Sequence, residues 1–130
     1  MFEPTKASFL LIDDVAETQW TLALRMSLSP MGSLCVLAEE DAVVSVEHHS
    51  YAVIIIDAGA IHDAALLTRR LRTHRPEARI IIVTASPTWE YTREALQAGA
   101  ADYIHKTFNQ EELRAIVREV MDKPPPERPV

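Results

Sequence analysis

The chain has 130 residues and a formal net charge of −6 at pH 7, with 48% hydrophobic and 25% charged residues. This length suits one compact domain with a sizeable core, and the negative charge argues against direct binding of nucleic acid. No apolar run approaches the roughly 20 residues that span a membrane. Residues 1–6 lack the basic and apolar regions of a secretory signal, so we expect a cytoplasmic protein without membrane contact. The single cysteine, Cys35, lies in an apolar run, and we expect it to be a buried, reduced thiol.

Short β-branched or apolar runs alternate with stretches of helical spacing along the chain. The runs lie at residues 8–12, 34–37, 52–56, 80–83 and 101–105. Three amphipathic stripes follow the first, third and fifth runs: Trp20, Ala23, Leu24, Ser27 and Leu28; Ala64, Leu67, Thr68 and Leu71; and Leu113, Ile116, Val117, Val120 and Met121. Such alternation predicts βα units on a parallel sheet. The third and fourth runs are apolar without alternation, as expected for strands covered by helices on both faces.

Local signals predict where several helices begin or end. Asp14 and Asn109 each precede a glutamate by three residues, which fits a capping box at the start of the first and last helices. Ser86 followed by Pro87 predicts an N-cap with proline at the first helical position. Gly99 lies where a C-terminal glycine cap belongs.

The end of the chain reads Pro-Pro-Pro-Glu-Arg-Pro-Val over residues 124–130. Neither a helix nor a strand continues through such a segment. We therefore expect a domain over residues 1–122 and a Pro-rich tail, or the start of a linker, over residues 123–130.

Polar side chains stand where four of the predicted strands end. Asp13 and Asp14 follow the first run, Asp57 the third, Thr84 the fourth and Lys106 the fifth. In an open parallel sheet, ligands bind at the carboxyl ends of the strands. Carboxylates gathered in one pocket repel one another unless a cation compensates, and Mg²⁺ prefers such oxygen ligands. Together with an ammonium group, these residues predict a site for a hard cation and a phosphoryl group.

The order and spacing of these residues resemble the receiver domain of two-component response regulators, over about residues 7–122. The matching marks are Asp13-Asp14, Asp57, Thr84-Ala85, the Gly-Ala-Ala-Asp-Tyr segment at 99–103, and Lys106 with Phe108 two places later. The resemblance implies an α/β fold with a doubly wound, five-stranded parallel sheet. It further implies the flavodoxin-like strand order 2-1-3-4-5, with five flanking helices.

The resemblance also implies a role for each polar residue. Asp57 would be the phosphoacceptor, which takes a phosphoryl group from the phosphohistidine of a sensor histidine kinase or phosphotransfer protein. The residues implied to hold Mg²⁺ are Asp13, Asp14, Asp57 and, through its backbone carbonyl, Gly59. The groups implied to bind the phosphoryl group are Thr84, the backbone of Ala85, and Lys106. Thr84 and Tyr103 would form the switch, since the aromatic ring swings inward as Thr84 moves.

The same resemblance implies how such a domain communicates. The face built from the fourth helix, fifth strand and fifth helix would bind a partner or a second copy. The triple proline leaves two alternatives open: a stand-alone receiver, or a linker that leads to an effector domain after residue 123. The domain would catalyse its own phosphoryl transfer and hydrolysis, but it would not be a turnover enzyme.

Two departures from the family pattern border the site. Ala60 and Ile61 stand where receivers typically carry a Met-Pro pair. Thr107 follows Lys106 in place of the usual cis proline. A cis bond before a non-proline residue costs about 2.5–4 kcal/mol, so we expect a trans bond here. No reacting group is missing, which favours a working receiver over the alternative of a phosphorylation-independent receiver-like interaction module.

A flavodoxin-like enzyme or nucleotide binder is a further alternative on the same architecture. That function needs a Gly-, Ser- or Thr-rich loop after the first strand, whose backbone N–H groups cradle phosphate. This chain has acidic residues there and none of its three glycines. The sequence therefore disfavours such a function.

Overall fold

The computed structural model describes residues 6–15 and 17–126. Its elements, in chain order, are β1 (Ala7–Ile12), α1 (Gln19–Leu28), β2 (Gly32–Leu37), α2 (Glu39–His48), β3 (Val53–Asp57), α3 (Ala64–His74), β4 (Ile80–Thr84), α4 (Trp89–Gln97), β5 (Asp102–His105) and α5 (Gln110–Asp122). In the described part of the chain, the strands form one parallel sheet in the order β2-β1-β3-β4-β5. The doubly wound α/β fold is therefore confirmed.

Helices cover both faces of the sheet, and each face has its own hydrophobic core. Along β1, Leu10 and Ile12 face the core shared with α2, α3 and α4. Phe9 and Leu11 face the opposite core, shared with α1 and α5. All four side chains are fully buried, because successive residues of a strand point to opposite faces and both faces are covered. Packing on both faces of the sheet thereby fixes the positions of the carboxyl ends of the central strands.

Two of the predicted helix ends are confirmed. Asn109 caps α5, and its side chain accepts a hydrogen bond of 3.0 Å from the backbone N–H of Glu112. Gly99 follows α4 with a φ of 100°. The N–H of Gly99 bonds to the carbonyl of Leu96, and the N–H of Ala100 bonds to that of Ala95. This pair of bonds is the Schellman arrangement, which requires a left-handed residue at the glycine position.

The other two predicted helix starts are wrong by a few residues. The N-cap of α1 is Thr18, whose hydroxyl accepts from the N–H of Thr21, and not Asp14. The N-cap of α4 is Thr88, whose hydroxyl accepts from the N–H of Tyr91, and not Ser86. In both places a second capping residue lies further along the chain.

The expectation of a buried Cys35 is also wrong, because this thiol is exposed. Cys35 lies on β2, which is an edge strand of the sheet. Its neighbour Leu34 points into the core with α1 and α5, so Cys35 points to the other face. That face is poorly covered at the edge, and the apolar run of the sequence did not reveal this.

The described start of the tail lies against the domain. The guanidinium of Arg79 donates to the carbonyl of Lys123 over 2.9 Å. Buried Arg72 donates to the carbonyls of Gly99 and Pro126. Among the described helices, none is long and apolar enough to cross a membrane.

Candidate phosphoryl-transfer site

The predicted site residues lie at the carboxyl edge of the sheet. Asp57 is the last residue of β3, and Thr84 is the last residue of β4. Asp13 and Lys106 directly follow β1 and β5. The backbone N–H of Lys106 donates to the carbonyl of Thr84 over 2.7 Å, which ties the two strand ends together. The parallel register thus brings residues far apart in the chain to one edge.

Asp57 is held by two donors and is almost fully buried. Its Oδ2 accepts a hydrogen bond of 2.7 Å from the ammonium of Lys106. Its Oδ1 accepts one of 2.9 Å from the backbone N–H of Gly59. Both carboxylate oxygens are therefore engaged, and the carboxylate is oriented toward the site and not toward solvent.

Asp13 brings a second buried carboxyl group beside Asp57. Burial raises the pKa of Asp13 above its usual value, and the negative charge of Asp57 raises it further. Contact with the carboxyl groups of Asp14 and Asp57 acts in the same direction, while a hydrogen bond from the N–H of Val15 opposes the shift. Asp14 itself is exposed. The cluster therefore holds more negative charge than Lys106 compensates.

Thr84 and Tyr103 lie on the other side of Asp57 from β1. Thr84 is buried, and its hydroxyl accepts a hydrogen bond of 3.2 Å from the N–H of Ser86. Ala85, between them, is exposed. Tyr103 is half-buried and packs against the core beneath α2, α3 and α4. The hydroxyl of Thr84 thus serves as an acceptor for a local backbone N–H, and Tyr103 lies on the neighbouring strand.

An open cleft of about 420 Å³ adjoins Thr84 and Tyr103. The loop after β3, the first turn of α3 and the inner side of α4 form its walls. Tyr91 and Glu94 of α4 line it, although the sequence marks neither as a site residue. Both line the cleft because of the way α4 is oriented on the sheet. No local sequence motif predicts that orientation, so sequence analysis could not identify these two residues.

Trp20 is another residue of the site that sequence patterns assigned only to an apolar stripe. The ammonium of Lys106 lies 4.8 Å from the centroid of its ring. Its indole N–H donates to the carbonyl of Thr107 over 2.8 Å. Among the described residues there is no cis peptide bond, so the expected trans bond before Thr107 is confirmed. Lys106 reaches Asp57 nonetheless.

Comparison with known proteins identifies the family. Residues 9–118 match the family described as the response regulator receiver domain. The chain is 38% identical over 77 residues to the two-component response regulator PhoP of Pseudomonas aeruginosa, covering 58% of this chain and 34% of that protein. It is 30% identical over 101 residues to the virulence transcriptional regulatory protein PhoP of Salmonella typhimurium, covering 75% of this chain and 45% of that protein.

The fold is also similar to that of a solved response regulator from Thermotoga maritima, with a TM-score of 0.82 and 19% identity. That match covers 92% of this chain and all of the other. The chain spans less than half the length of the curated relatives it matches. With residues 9–118 matched, the chain belongs to the receiver domains of two-component response regulators, a family of phosphoacceptor domains.

Proposed function

We propose that this chain is a phosphorelay receiver in which Asp57 accepts a phosphoryl group from the phosphohistidine of a sensor histidine kinase or phosphotransfer protein. The observation that carries this proposal is the buried Asp57 carboxylate, held between the Gly59 N–H and the Lys106 ammonium. A carboxylate oxygen attacks phosphorus, the P–N bond breaks, and the bonding electrons leave with the imidazole. Phosphoryl transfer depends mainly on such positioning and on stabilisation of charge.

Lys106 has a part in both states of this reaction. Before transfer its ammonium neutralises the Asp57 carboxylate at 2.7 Å. After transfer the acyl phosphate carries more negative charge than the carboxylate did, by analogy with other phosphorylated side chains. The ammonium then pairs with a phosphoryl oxygen, because that oxygen is the stronger local anion.

The donor set fits Mg²⁺, which takes oxygen ligands and retains several waters. Asp13, Asp14, Asp57 and the backbone carbonyl of Gly59 would hold it. Among the described residues, no three acidic, histidine or cysteine side chains already form a metal-holding group. One or two carboxylates together with water and a phosphoryl oxygen are sufficient for this ion. When bound, it would supply positive charge against the phosphoryl oxygens and relieve the repulsion between Asp13 and Asp57.

The switch is proposed to run through Thr84 and Tyr103. The Thr84 hydroxyl now accepts from the N–H of Ser86. A phosphoryl oxygen beside it would accept the hydroxyl proton of Thr84, and the backbone N–H of Ala85 would bind the same group. Movement of Thr84 toward the phosphate would leave room into which Tyr103 turns. The open cleft beside both residues provides space for this rearrangement.

The proposed output is a change of binding surface, without turnover of a substrate. The face formed by α4, β5 and α5 would bind a partner or a second copy of the chain. Residues 1–122 would constitute the receiver, and residues 123–130 would lead toward an effector domain. Hydrolysis of the acyl phosphate, catalysed by the domain itself, would reset the switch.

The direct test is incubation with Mg²⁺ and a small-molecule phosphodonor, followed by measurement of intact mass. One added phosphoryl group is expected on the parent and on Asp122→Asn, which removes an exposed carboxylate at the end of α5. No adduct is expected on Asp57→Asn or after chelation of Mg²⁺. Absence of an adduct on the parent, with no binding of Mg²⁺, would contradict the proposal and favour a phosphorylation-independent interaction module.

A further inference from the structure

Trp20 of α1 makes two contacts near the site, one with the side chain of Lys106 and one with the backbone of the next residue, Thr107. The Lys106 ammonium lies 4.8 Å from the centroid of its ring. The indole N–H bonds to the carbonyl of Thr107 over 2.8 Å. Trp20 is 3% exposed, and it also packs into the core between the sheet, α1 and α5. The indole, which is anchored in the core, therefore contacts both the Lys106 ammonium and the backbone carbonyl of Thr107.

The contact with the indole ring restricts the conformations that the Lys106 side chain can adopt. A lysine stem has four rotatable bonds and a high rotamer entropy. In the described structure, its ammonium donates a hydrogen bond of 2.7 Å to Oδ2 of Asp57. Attraction to the face of an indole ring increases as the cation loses water, and the Lys106 side chain is only 23% exposed. The ring thus favours rotamers that place the ammonium against Asp57.

The second contact acts on the backbone after the lysine. Thr107 does not have the fixed φ of a proline, so its backbone needs restraint from elsewhere. The indole N–H fixes the carbonyl of Thr107, and the Thr107 hydroxyl accepts from the N–H of Asn109 over 3.1 Å. The segment between β5 and α5 is therefore held at both its carbonyl and its side chain, which sets the direction from which Lys106 enters the site.

We propose that Trp20 is a positioning residue for Lys106. It holds the ammonium by its ring face and the following peptide by its N–H, and so keeps the cation in reach of Asp57 and of an incoming phosphoryl group. The part of this inference that concerns the phosphoryl group rests on the proposed function. The part that concerns the ammonium does not, because the free protein already contains the contacts.

The test compares Trp20→Phe, which keeps an aromatic face but loses the N–H, with Trp20→Leu, which loses both. Trp89→Phe is the matched control, since Trp89 lies 74% exposed on α4. Leu24→Ala is the second control, because it removes side-chain atoms from the same core on the same helix but keeps the indole ring and its N–H. Far-UV circular dichroism establishes that each variant is folded.

The first readout is NMR of protein labelled at the lysine ε-carbon. The chain has three lysines, at positions 6, 106 and 123, so the spectrum is simple. The Lys106 ammonium lies over an indole ring, whose ring current should move the resonance of the adjacent ε-protons upfield from those of the other two lysines. The shift should persist in Trp89→Phe and Leu24→Ala, decrease in Trp20→Phe, and vanish in Trp20→Leu. Persistence of the shift in Trp20→Leu would overturn the inference.

The second readout is the rate of phosphorylation by a small-molecule donor with saturating Mg²⁺. Trp20→Leu should be about tenfold slower than the parent, and Trp20→Phe should recover part of the loss. A loss as large in Leu24→Ala would show that Trp20 acts only through the core, and would overturn the inference. If the parent takes no phosphoryl group while its lysine shift depends on Trp20, the positioning role stands and the proposed function fails.

Discussion

The ion pair between Asp57 and Lys106 offers a quantitative test of the site. The perturbation is a double-mutant cycle with Lys106→Met, which keeps an apolar stem over Trp20, and Asp57→Asn, which keeps the shape of the acid. Two unit charges 2.7 Å apart attract by roughly 1.5 kcal/mol in water and roughly 6 kcal/mol at an effective dielectric constant of about 20. The exposed fractions of the two side chains, 23% for Lys106 and 9% for Asp57, place the pair between these limits.

Loss of hydration offsets part of that attraction, so we expect a coupling free energy of about 2 kcal/mol. The two single variants should differ. Lys106→Met leaves the Asp57 carboxylate buried beside Asp13 without a cation, and should lower the free energy of unfolding by about 2–3 kcal/mol. Asp57→Asn also removes the repulsion of Asp13, so its net effect should stay below about 1 kcal/mol in either direction.

The assay is urea unfolding followed by far-UV circular dichroism in metal-free buffer, with the denaturant slope compared between variants. Lys123→Met is the control, because Lys123 pairs with Glu119 at the same 2.7 Å but with both side chains 66% exposed. Loss of that exposed pair should change the free energy of unfolding by too little to measure. The reasoning is refuted if Lys106→Met costs the same free energy in the parent and in the Asp57→Asn background.

Three further changes test other parts of the structure. Asp13→Asn should raise the stability of the metal-free protein at neutral pH and weaken the stabilisation that Mg²⁺ provides, as thermal unfolding with and without Mg²⁺ would show. Because burial raises the pKa of folded Asp13 above its ordinary value, its carboxyl group stabilises the fold fully below the unfolded pKa, and this contribution is lost as pH rises through the folded pKa. A variant less stable than the parent at neutral pH without metal would contradict this. Gly99→Ala should destabilise the protein by about 1–3 kcal/mol, because it forces a left-handed residue to carry a Cβ that would also overlap the Arg72 guanidinium; chemical denaturation measures this, and an unchanged midpoint would refute it. Asn109→Ala should cost about 1 kcal/mol by removing the cap of α5, whereas Asn109→Asp should cost much less, and equal losses in the two variants would argue against the cap.

Several features of the fold could be read from local sequence, for physical reasons. Buried parallel strands are continuous apolar runs, so all five strands were found to within two residues at each end. Asn109 and Gly99 act through bonds to residues within a few places of themselves, and such local chemistry is visible in the sequence. The start of α1 was missed because Asp14 and Thr18 are both good capping residues, and the capping-box spacing to Glu17 favoured the first, whereas the helix begins after the second.

Sequence by itself determined which chemical groups end each strand, since a parallel sheet carries residues such as Asp13, Asp57 and Lys106 to one edge whatever the details of packing. Only the tertiary structure decided how those groups are held. Trp20 and Thr107 are 87 residues apart, and Cys35 is exposed because β2 is the edge strand. Contacts of this kind depend on how helices and strands are placed against one another, and no pattern within a short segment records that placement.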